Sequence, residues 1–263
     1  MRAMLVLWEH PLSPYAQKNK IALREKGVPF EARTPMGIGT GSALAEFERV
    51  SPLREVPALV DGEVSVFDSR LILEYLEDRW PEPALLPAGA PERARARRIE
   101  QVMDRHYEPL NWALSELRYF KRASGPLAER LEAAAADDAR RLQAWLDDTL
   151  GDREWFGGDR FGWADLSVAP YLNGSRGFGL GPVGGSRLAG WLERANERPS
   201  VRATTAEAAS AAAAMAGVAE LVASGRFRRQ YRDHRLEWMI RNGGVAVVEE
   251  GLRRDNIRFN RFP

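Results

Sequence analysis

The sequence predicts an N-terminal α/β domain followed by an all-helical domain. Strand and helix signals alternate over the first eighty residues. A proline-rich segment follows, which is typical of a linker. Beyond it the strand signals largely vanish, and long apolar stripes at helical spacing replace them. We therefore expect an α/β domain at 1–80, a linker at 81–91, a helical domain at 92–216 and an extension at 217–263.

The composition excludes several classes of function. The 263 residues carry 38 Lys+Arg against 37 Asp+Glu, a net charge of +1, so there is no chain-wide basic field for nucleic acid. The chain has no cysteine, which excludes disulfides, thiolate metal sites and any protein sulfur nucleophile. Its 3 histidines show no metal-ligand spacing. Its longest uncharged apolar-leaning run, 208–219, is shorter than the roughly 18 residues of a membrane span. We therefore expect a cytoplasmic protein without metal, membrane or nucleic-acid partners.

The first domain begins with a continuous apolar run at 3–8, as expected of a strand covered on both faces. Ser13 and Pro14 then form an N-cap and a first-turn proline, so a helix is expected from there to Lys26. Asp61-Gly62 is a hairpin turn signal between two apolar runs. The remaining predicted elements are a strand at 30–34, a helix at 43–50, hairpin strands at 58–60 and 64–67, and a helix opened by Ser69.

The second domain shows a long apolar stripe from Ile99 to Leu117, and Pro109 predicts a kink in that helix. Gly162 and Asp165 have the spacing of a capping box, which we interpret as structural. Further helices are predicted at 127–150, 163–172, 188–196 and 201–214. In the extension, residues 226–235 predict a basic helix that packs on the globule or on a partner subunit.

Four local patterns together resemble the cytosolic glutathione transferase superfamily, over roughly residues 3–212. They are HPLSPYAQ at 10–17, SPLREVPAL at 51–59, FDSRLILEYL at 67–76 and FGWADLSVAPY at 161–171. The chain looks like a serine-type, bacterial-like member with a C-terminal extension. The resemblance implies a thioredoxin-like N-terminal domain, a helical-bundle second domain and a homodimer. It also implies glutathione as co-substrate and no permanently bound cofactor.

Ser13 is the predicted catalytic residue. It stands where the N–H groups and the positive dipole end of a helix converge, which favours a thiolate. Lowering a thiol pKa by about 2 units needs roughly 2.7 kcal/mol, and one charge-assisted hydrogen bond is of that size. The alternative is that Ser13 only caps the helix. Tyr15 is a rival hydroxyl, although its place in the first helical turn favours packing.

The resemblance also implies glutathione-binding residues. Val56 and Pro57 stand where the family carries a cis-proline, next to backbone groups that pair with the glutathione peptide; from the residues alone, the isomer stays open. Asp68 and Ser69 stand at a helix N-terminus, where they would hold the γ-glutamyl ammonium and carboxylate groups; a capping pair without ligand is the alternative. Glu55 departs from the lysine or neutral residue of many relatives, which places any charge pairing with the glycyl carboxylate in doubt.

Tyr107 and Trp112, on the long second-domain helix, are candidates for a hydrophobic co-substrate site between the domains. Packing in the core is the alternative for both. The glycine-rich segment 174–185 follows a helix and lacks the lysine of a phosphate loop, so we interpret it as a loop at the cleft.

The function expected from the sequence is conjugation, in which glutathione thiolate attacks an electrophilic carbon of an apolar co-substrate. Dehalogenation, ether cleavage and isomerisation remain open as outcomes of the same attack. The alternative is a non-catalytic binding or assembly protein that kept the fold. Use of a different low-molecular-weight thiol is a third hypothesis.

Overall fold

The computed structural model describes residues 4–38, 45–229, 231–232 and 236–258. The first domain alternates strands and helices as the sequence predicts; the expected element starts at residues 3 and 43 lie outside the described residues. Its strands are β1 (Leu5–Trp8), β2 (Phe30–Arg33), β3 (Ala58–Asp61) and β4 (Val64–Phe67), and its helices are α1 (Pro14–Glu25), α2 (Ala45–Val50) and α3 (Ser69–Arg79).

The sheet has the order β2-β1-β3-β4. β1 runs parallel to β2 and antiparallel to β3, while β3 and β4 form the predicted hairpin. Gly62 supplies the positive φ of the hairpin turn, at 63°. Leu7 at the centre of β1 is fully buried, in keeping with a strand covered on both faces. This is the thioredoxin-like arrangement, and the predicted fold class is confirmed.

The second domain is helical. It contains α4 (Ala90–Val102), α5 (Glu108–Arg118), α6 (Gly125–Leu150), α7 (Trp163–Gly177), α8 (Arg187–Glu197) and α9 (Pro199–Ala213). A π-helical turn, Met103–Tyr107, joins α4 to α5. The Glu108 N–H bonds the Met103 carbonyl, and Pro109 has no N–H to continue the ordinary pattern. The structure therefore shows a π-turn just before the proline, and the kink itself stays a prediction.

The extension contains α10 (Val218–Ala223), α11 (Leu236–Arg241) and α12 (Val245–Arg253), and a parallel strand pair, β5 (Tyr231–Arg232) with β6 (Ile257–Arg258). The predicted helix at 226–235 is wrong for its described residues, because 226–229 form no helix and 231–232 form a strand. The extension packs on the globule: Trp238 is buried, and its Nε1 donates to Asp138 of α6 at 3.0 Å. In the described ranges, no helix is long and apolar enough to cross a bilayer.

Candidate active site

A cavity of about 600 Å³ lies where the β1–α1 end of the first domain meets the helical domain. The first domain contributes the start of α1 and the segment before β3. The second contributes one side of α5, the middle of α7 and an alanine-rich face of α9. Residues of the extension complete the wall. Among the sequence-predicted site residues, the cavity is lined by Ser13, Val56 and Trp112.

Ser13 is the N-cap of α1, as predicted. Its Oγ accepts a hydrogen bond of 3.3 Å from Ala16 N, and its N–H donates to the His10 carbonyl at 2.8 Å. Pro14 occupies the first helical position. Among the described residues none accepts a hydrogen bond from the Ser13 hydroxyl, so its hydrogen is available for a ligand in the cavity. Capping and ligand binding are therefore compatible roles for this side chain.

His10 is a cavity residue that the sequence analysis did not select. Its Nδ1 accepts a hydrogen bond of 3.2 Å from Leu12 N, so the neutral ring carries its hydrogen on Nε2. Burial, followed by the positive charges of Arg229 and Lys20, lowers the pKa of His10 to about 4. His10 is therefore neutral at pH 7. Its place at the end of β1, three residues before the cap, is the signal that could have identified it.

The Val56–Pro57 peptide bond is cis, the isomer that the resemblance favours. Val56 lines the cavity, and Pro57 is buried beneath it. The preceding segment is held by buried Ser51: its Oγ donates to the Glu55 carbonyl at 2.9 Å and accepts from Glu55 N at 3.2 Å. Ser51 thus fixes the backbone that presents Val56 to the cavity.

Asp68 is the N-cap of α3, and Ser69 begins that helix. The Asp68 Oδ1 accepts from Arg70 N at 2.9 Å and from Leu71 N at 3.3 Å. Its φ of 77° turns the chain into the helix. Ser69 is 5% exposed, and neither residue is among those that line the cavity. The structure therefore shows the capping role of Asp68 directly.

The expectation that Tyr107 faces the cleft is wrong. Tyr107 is fully buried, and its hydroxyl accepts a hydrogen bond of 2.7 Å from Gln143 Nε2 on α6. Burial raises the pKa of this phenol, and the residue does not line the cavity. It belongs to the last position of the π-turn, whose wider winding changes the face that a side chain occupies. Trp112, on α5, does line the cavity and is 9% exposed.

The predicted acidic half of a capping box at the start of α7 is confirmed, while Gly162 has no side chain to supply the other half. The Asp165 Oδ2 accepts from Gly162 N at 3.1 Å, and its Oδ1 accepts from Phe156 N and from Trp191 Nε1. Burial raises the pKa of Asp165 to about 6, against the lowering effect of these three donors. The residue lies in the core of the helical domain and does not line the cavity.

Comparison with known protein families finds two matching domains in this chain. Residues 7–84 match the model of the glutathione S-transferase N-terminal domain, and residues 128–194 match that of the glutathione S-transferase C-terminal domain. The chain belongs to the glutathione S-transferase family. Ser13, Val56, Asp68 and Ser69 all fall within the first match.

Individual relatives agree with this assignment. The chain is 32% identical over 215 residues to the probable glutathione S-transferase GSTU1 of Oryza sativa subsp. japonica, covering 75% of this chain and 87% of that protein. It is 25% identical over 201 residues to the stringent starvation protein A homolog of Haemophilus ducreyi, covering 76% and 88%. The crystal structure of rice GST1 in complex with glutathione superposes with a TM-score of 0.69 at 28% identity, covering 84% of this chain and 98% of that one.

Some residues that line the cavity lie outside both matched domains and were not predicted from the sequence. Phe227 and Arg229 of the extension line the cavity, although they lie beyond both matched domains. Gly174 and Gly177 border the cavity, but they belong to the last turn of α7, so the loop interpretation is wrong for 174–177 and holds only from Phe178 onward. In the described part of this glutathione S-transferase, no group of three or more His, Asp or Glu side chains is arranged to hold a metal ion.

Proposed function

We propose that this protein is a glutathione transferase in which Ser13 stabilises the glutathione thiolate. The sulfur attacks an electrophilic carbon of an apolar co-substrate, a C–S bond forms, and the leaving group departs with its electron pair. Ser13 keeps its proton throughout and donates a hydrogen bond to the sulfur. Family membership supports the transferase activity, and the sulfur comes from glutathione because the chain has no cysteine.

The observation that carries this proposal is the Ser13 hydroxyl, which caps α1 and lines the cavity with its hydrogen available. The helix N-terminus and this hydroxyl together favour an anion at that place. The cavity wall includes Trp112 on α5 and Phe178 just after the end of α7, and both suit an apolar co-substrate. Holding both reactants in one cavity supplies much of the rate.

We assign the remaining groups on the family's pattern. The backbone of Val56, beside the cis-proline, would pair with the peptide of glutathione, while Asp68 and Ser69 would hold its γ-glutamyl end. Trp112 would contact the co-substrate. A homodimer and a cytoplasmic location are part of the same proposal, and no permanently bound cofactor is required.

The role of Ser13 can be tested by comparing it with Ser115, a second serine that lines the same cavity. Ser13→Ala should lower kcat/KM about ten- to a hundredfold with a chromogenic electrophile, the loss of one charge-assisted hydrogen bond. Ser115 also lines the cavity, but its Oγ already donates to the Asn111 carbonyl at 2.8 Å. Ser115→Ala is therefore the control and should change kcat/KM about twofold or less. Unchanged turnover in Ser13→Ala would overturn the mechanism.

The second candidate is a binding or assembly protein without turnover. The similarity to a stringent starvation protein A homolog favours it, since that name denotes no transferase. Retention on immobilised glutathione without turnover across a broad electrophile panel would support this candidate. Parallel titrations with other low-molecular-weight thiols test the third hypothesis, that the protein uses a thiol other than glutathione.

A further inference from the structure

The extension contributes a cation to the wall of the cavity. Arg229 lines it together with Phe227, and both residues lie beyond the end of the second matched domain at residue 194. The Arg229 side chain is 19% exposed, so the surrounding protein limits its screening by solvent. Its guanidinium lies over the Phe120 ring, 4.7 Å from the ring centroid. The position of this charge is therefore set by packing.

Glu116 of α5 anchors this guanidinium. Its carboxylate is fully buried, and its Oε1 accepts from both Nε and Nη2 of Arg229, at 2.9 and 2.7 Å. Its Oε2 accepts from Arg122 Nε at 3.1 Å, and Arg122 Nη2 donates to the Arg229 carbonyl at 3.2 Å. Two guanidiniums thus share one carboxylate, which leaves a net positive charge. Only Arg229 of the pair lines the cavity.

Arg229 borders the same cavity as Ser13 and His10. Arg229 and Lys20 are the two charges that lower the pKa of His10, and the His10 carbonyl accepts the Ser13 N–H at 2.8 Å. His10 and Ser13 both line the cavity, as Arg229 does. The field of Arg229 therefore reaches the place where a bound thiolate would lie.

Other ionisable groups border the same space. Arg54 and Glu55 lie on the segment before β3, and Glu108 begins α5. The phenols are those of Tyr15 on α1 and Tyr119 at the end of α5. Arg54 and Glu55 have opposite charges on adjacent residues and offset each other in part. Arg229 is the cation that the extension adds to this set.

We propose that Arg229 is a positioning residue of the transfer reaction, whose Glu116-held guanidinium stabilises the thiolate beside Ser13 through its charge. This role rests on the proposed function. The charge acts through space on the bound sulfur, and Glu116 and Phe120 fix its place. The C-terminal extension is thereby part of the active site, because Arg229 lies beyond both matched domains.

The first test needs no glutathione. The chain has three histidines, so His10 can be assigned by NMR with a His10→Asn variant and titrated in the full-length protein. Arg229→Gln should raise the His10 pKa by about half a unit to one unit, since a nearby cation is removed. Arg122→Gln is the matched control, because it breaks a bond to the same carboxylate and removes an equal charge away from the cavity. It should shift the His10 pKa by less than half as much.

The second test follows the thiolate itself. The thiol pKa of bound glutathione can be read from the pH dependence of the thiolate absorbance and from the pH profile of kcat/KM. Both pKa values should rise by about half a unit to one unit in Arg229→Gln. Below the thiol pKa, kcat/KM should fall about three- to tenfold. Arg229→Lys keeps the charge and should recover most of the shift. A role that is merely structural would lower protein stability without moving the pH profile.

The outcomes separate this role from the proposed function. Absence of glutathione binding by calorimetry overturns the proposed function, and the reaction role of Arg229 falls with it. If glutathione binds and is turned over, equal thiol pKa values in wild type and Arg229→Gln overturn the role of Arg229 alone. An unchanged His10 pKa in Arg229→Gln overturns the placement of the charge, whichever way glutathione behaves.

Discussion

Asn19 on α1 donates a hydrogen bond of 2.9 Å from its Nδ2 to the backbone carbonyl of Ser69, the first residue of α3. Both residues are buried, and Asn19 is fully so. The bond joins the helix that Ser13 caps to the helix that Asp68 caps. It therefore fixes the spacing between the two helix N-termini that the proposed function assigns to one glutathione molecule.

We expect Asn19→Ala to weaken glutathione binding more than it lowers kcat at saturation. The Ser69 carbonyl would lose its partner in a buried place, at a cost of about 1–3 kcal/mol in the free energy of unfolding. If about 1 kcal/mol of this appears in binding, the calorimetric Kd rises roughly fivefold. The measurements are calorimetry and urea unfolding.

Asn242→Ala is the control for Asn19→Ala. Its Nδ2 donates to the Trp238 carbonyl at 3.0 Å, the same type of bond, within the extension. It should lower stability without changing the glutathione Kd. Equal Kd values in wild type and Asn19→Ala would show that the bond only stabilises the fold.

The two aromatic candidates for the co-substrate site should behave differently. Trp112→Ala removes a cavity wall, so kcat/KM for an apolar electrophile should fall about tenfold or more, the effect of roughly 1.4 kcal/mol or more of lost contact. Tyr107→Phe removes the hydroxyl that accepts from Gln143 and hydrogen-bonds Ser175, while Gln143 Nε2 keeps the Leu180 carbonyl as an acceptor. The substitution should cost about 1 kcal/mol of stability and leave kcat/KM within about twofold. Steady-state kinetics and urea unfolding measure both. A larger decrease of kcat/KM in Tyr107→Phe would show that Tyr107 contributes to the co-substrate site.

Local signals explain what the sequence could predict. Ser13 and Pro14 specify a cap whatever surrounds them, because the cap bond closes within three residues. Gly162 and Asp165 specify theirs in the same way. The proline-rich linker and the change of hydrophobic periodicity likewise depend on short stretches of chain, so the order of the domains followed from them.

Long-range packing explains what the sequence could not predict. Arg229 reaches the cavity because Glu116, 113 positions earlier, holds its guanidinium. In the sequence, the same arginine belongs to a charged run that is usually a solvated face. The prediction that Tyr107 faces the cleft was wrong for a different reason. Helical spacing assumes 3.6 residues per turn, and the π-turn Met103–Tyr107 departs from that value.

His10 should make the protein sensitive to acid. Burial, followed by Arg229 and Lys20, holds its folded pKa at about 4, below the 6.5 of an unperturbed histidine. Between these values the unfolded state binds the proton and the folded state does not, so stability falls as the pH drops from 6.5 to 4. The full effect of this shift is about 3 kcal/mol.

His10→Asn keeps an acceptor for Leu12 N and removes the titrating group. Urea unfolding from pH 7 to 4 should show a shallower loss of stability in this variant than in wild type. His106 is exposed, and His106→Asn should leave the slope unchanged. Parallel pH dependence of wild type and His10→Asn would contradict the low folded pKa.

Replacing Lys18, at the boundary between the two domains, should strongly lower the free energy of unfolding. Lys18 lies on α1, is fully buried, and its Nζ is 2.7 Å from both Glu100 Oε1 and Asp104 Oδ2 of the second domain. Burial alone would lower the pKa of Lys18, but the two carboxylates raise it, so the ion pairs are present throughout the neutral range. Their stabilising effect is full below the unfolded pKa of about 10.5 and is lost only as the pH rises through the higher folded value.

Lys18→Met would leave the buried Glu100 carboxylate and the partly buried Asp104 carboxylate without their cation, and we expect a loss of about 3–5 kcal/mol in urea unfolding at pH 7. Adding Glu100→Gln should recover part of it at pH 7, since one buried charge is removed while Trp163 Nε1, which donates to Glu100 at 2.8 Å, keeps an acceptor. Lys121→Met, at an exposed site, should stay within about 0.5 kcal/mol of wild type. A Lys18→Met variant as stable as this control would mean that hydrophobic packing, and not the ion pairs, holds the two domains together.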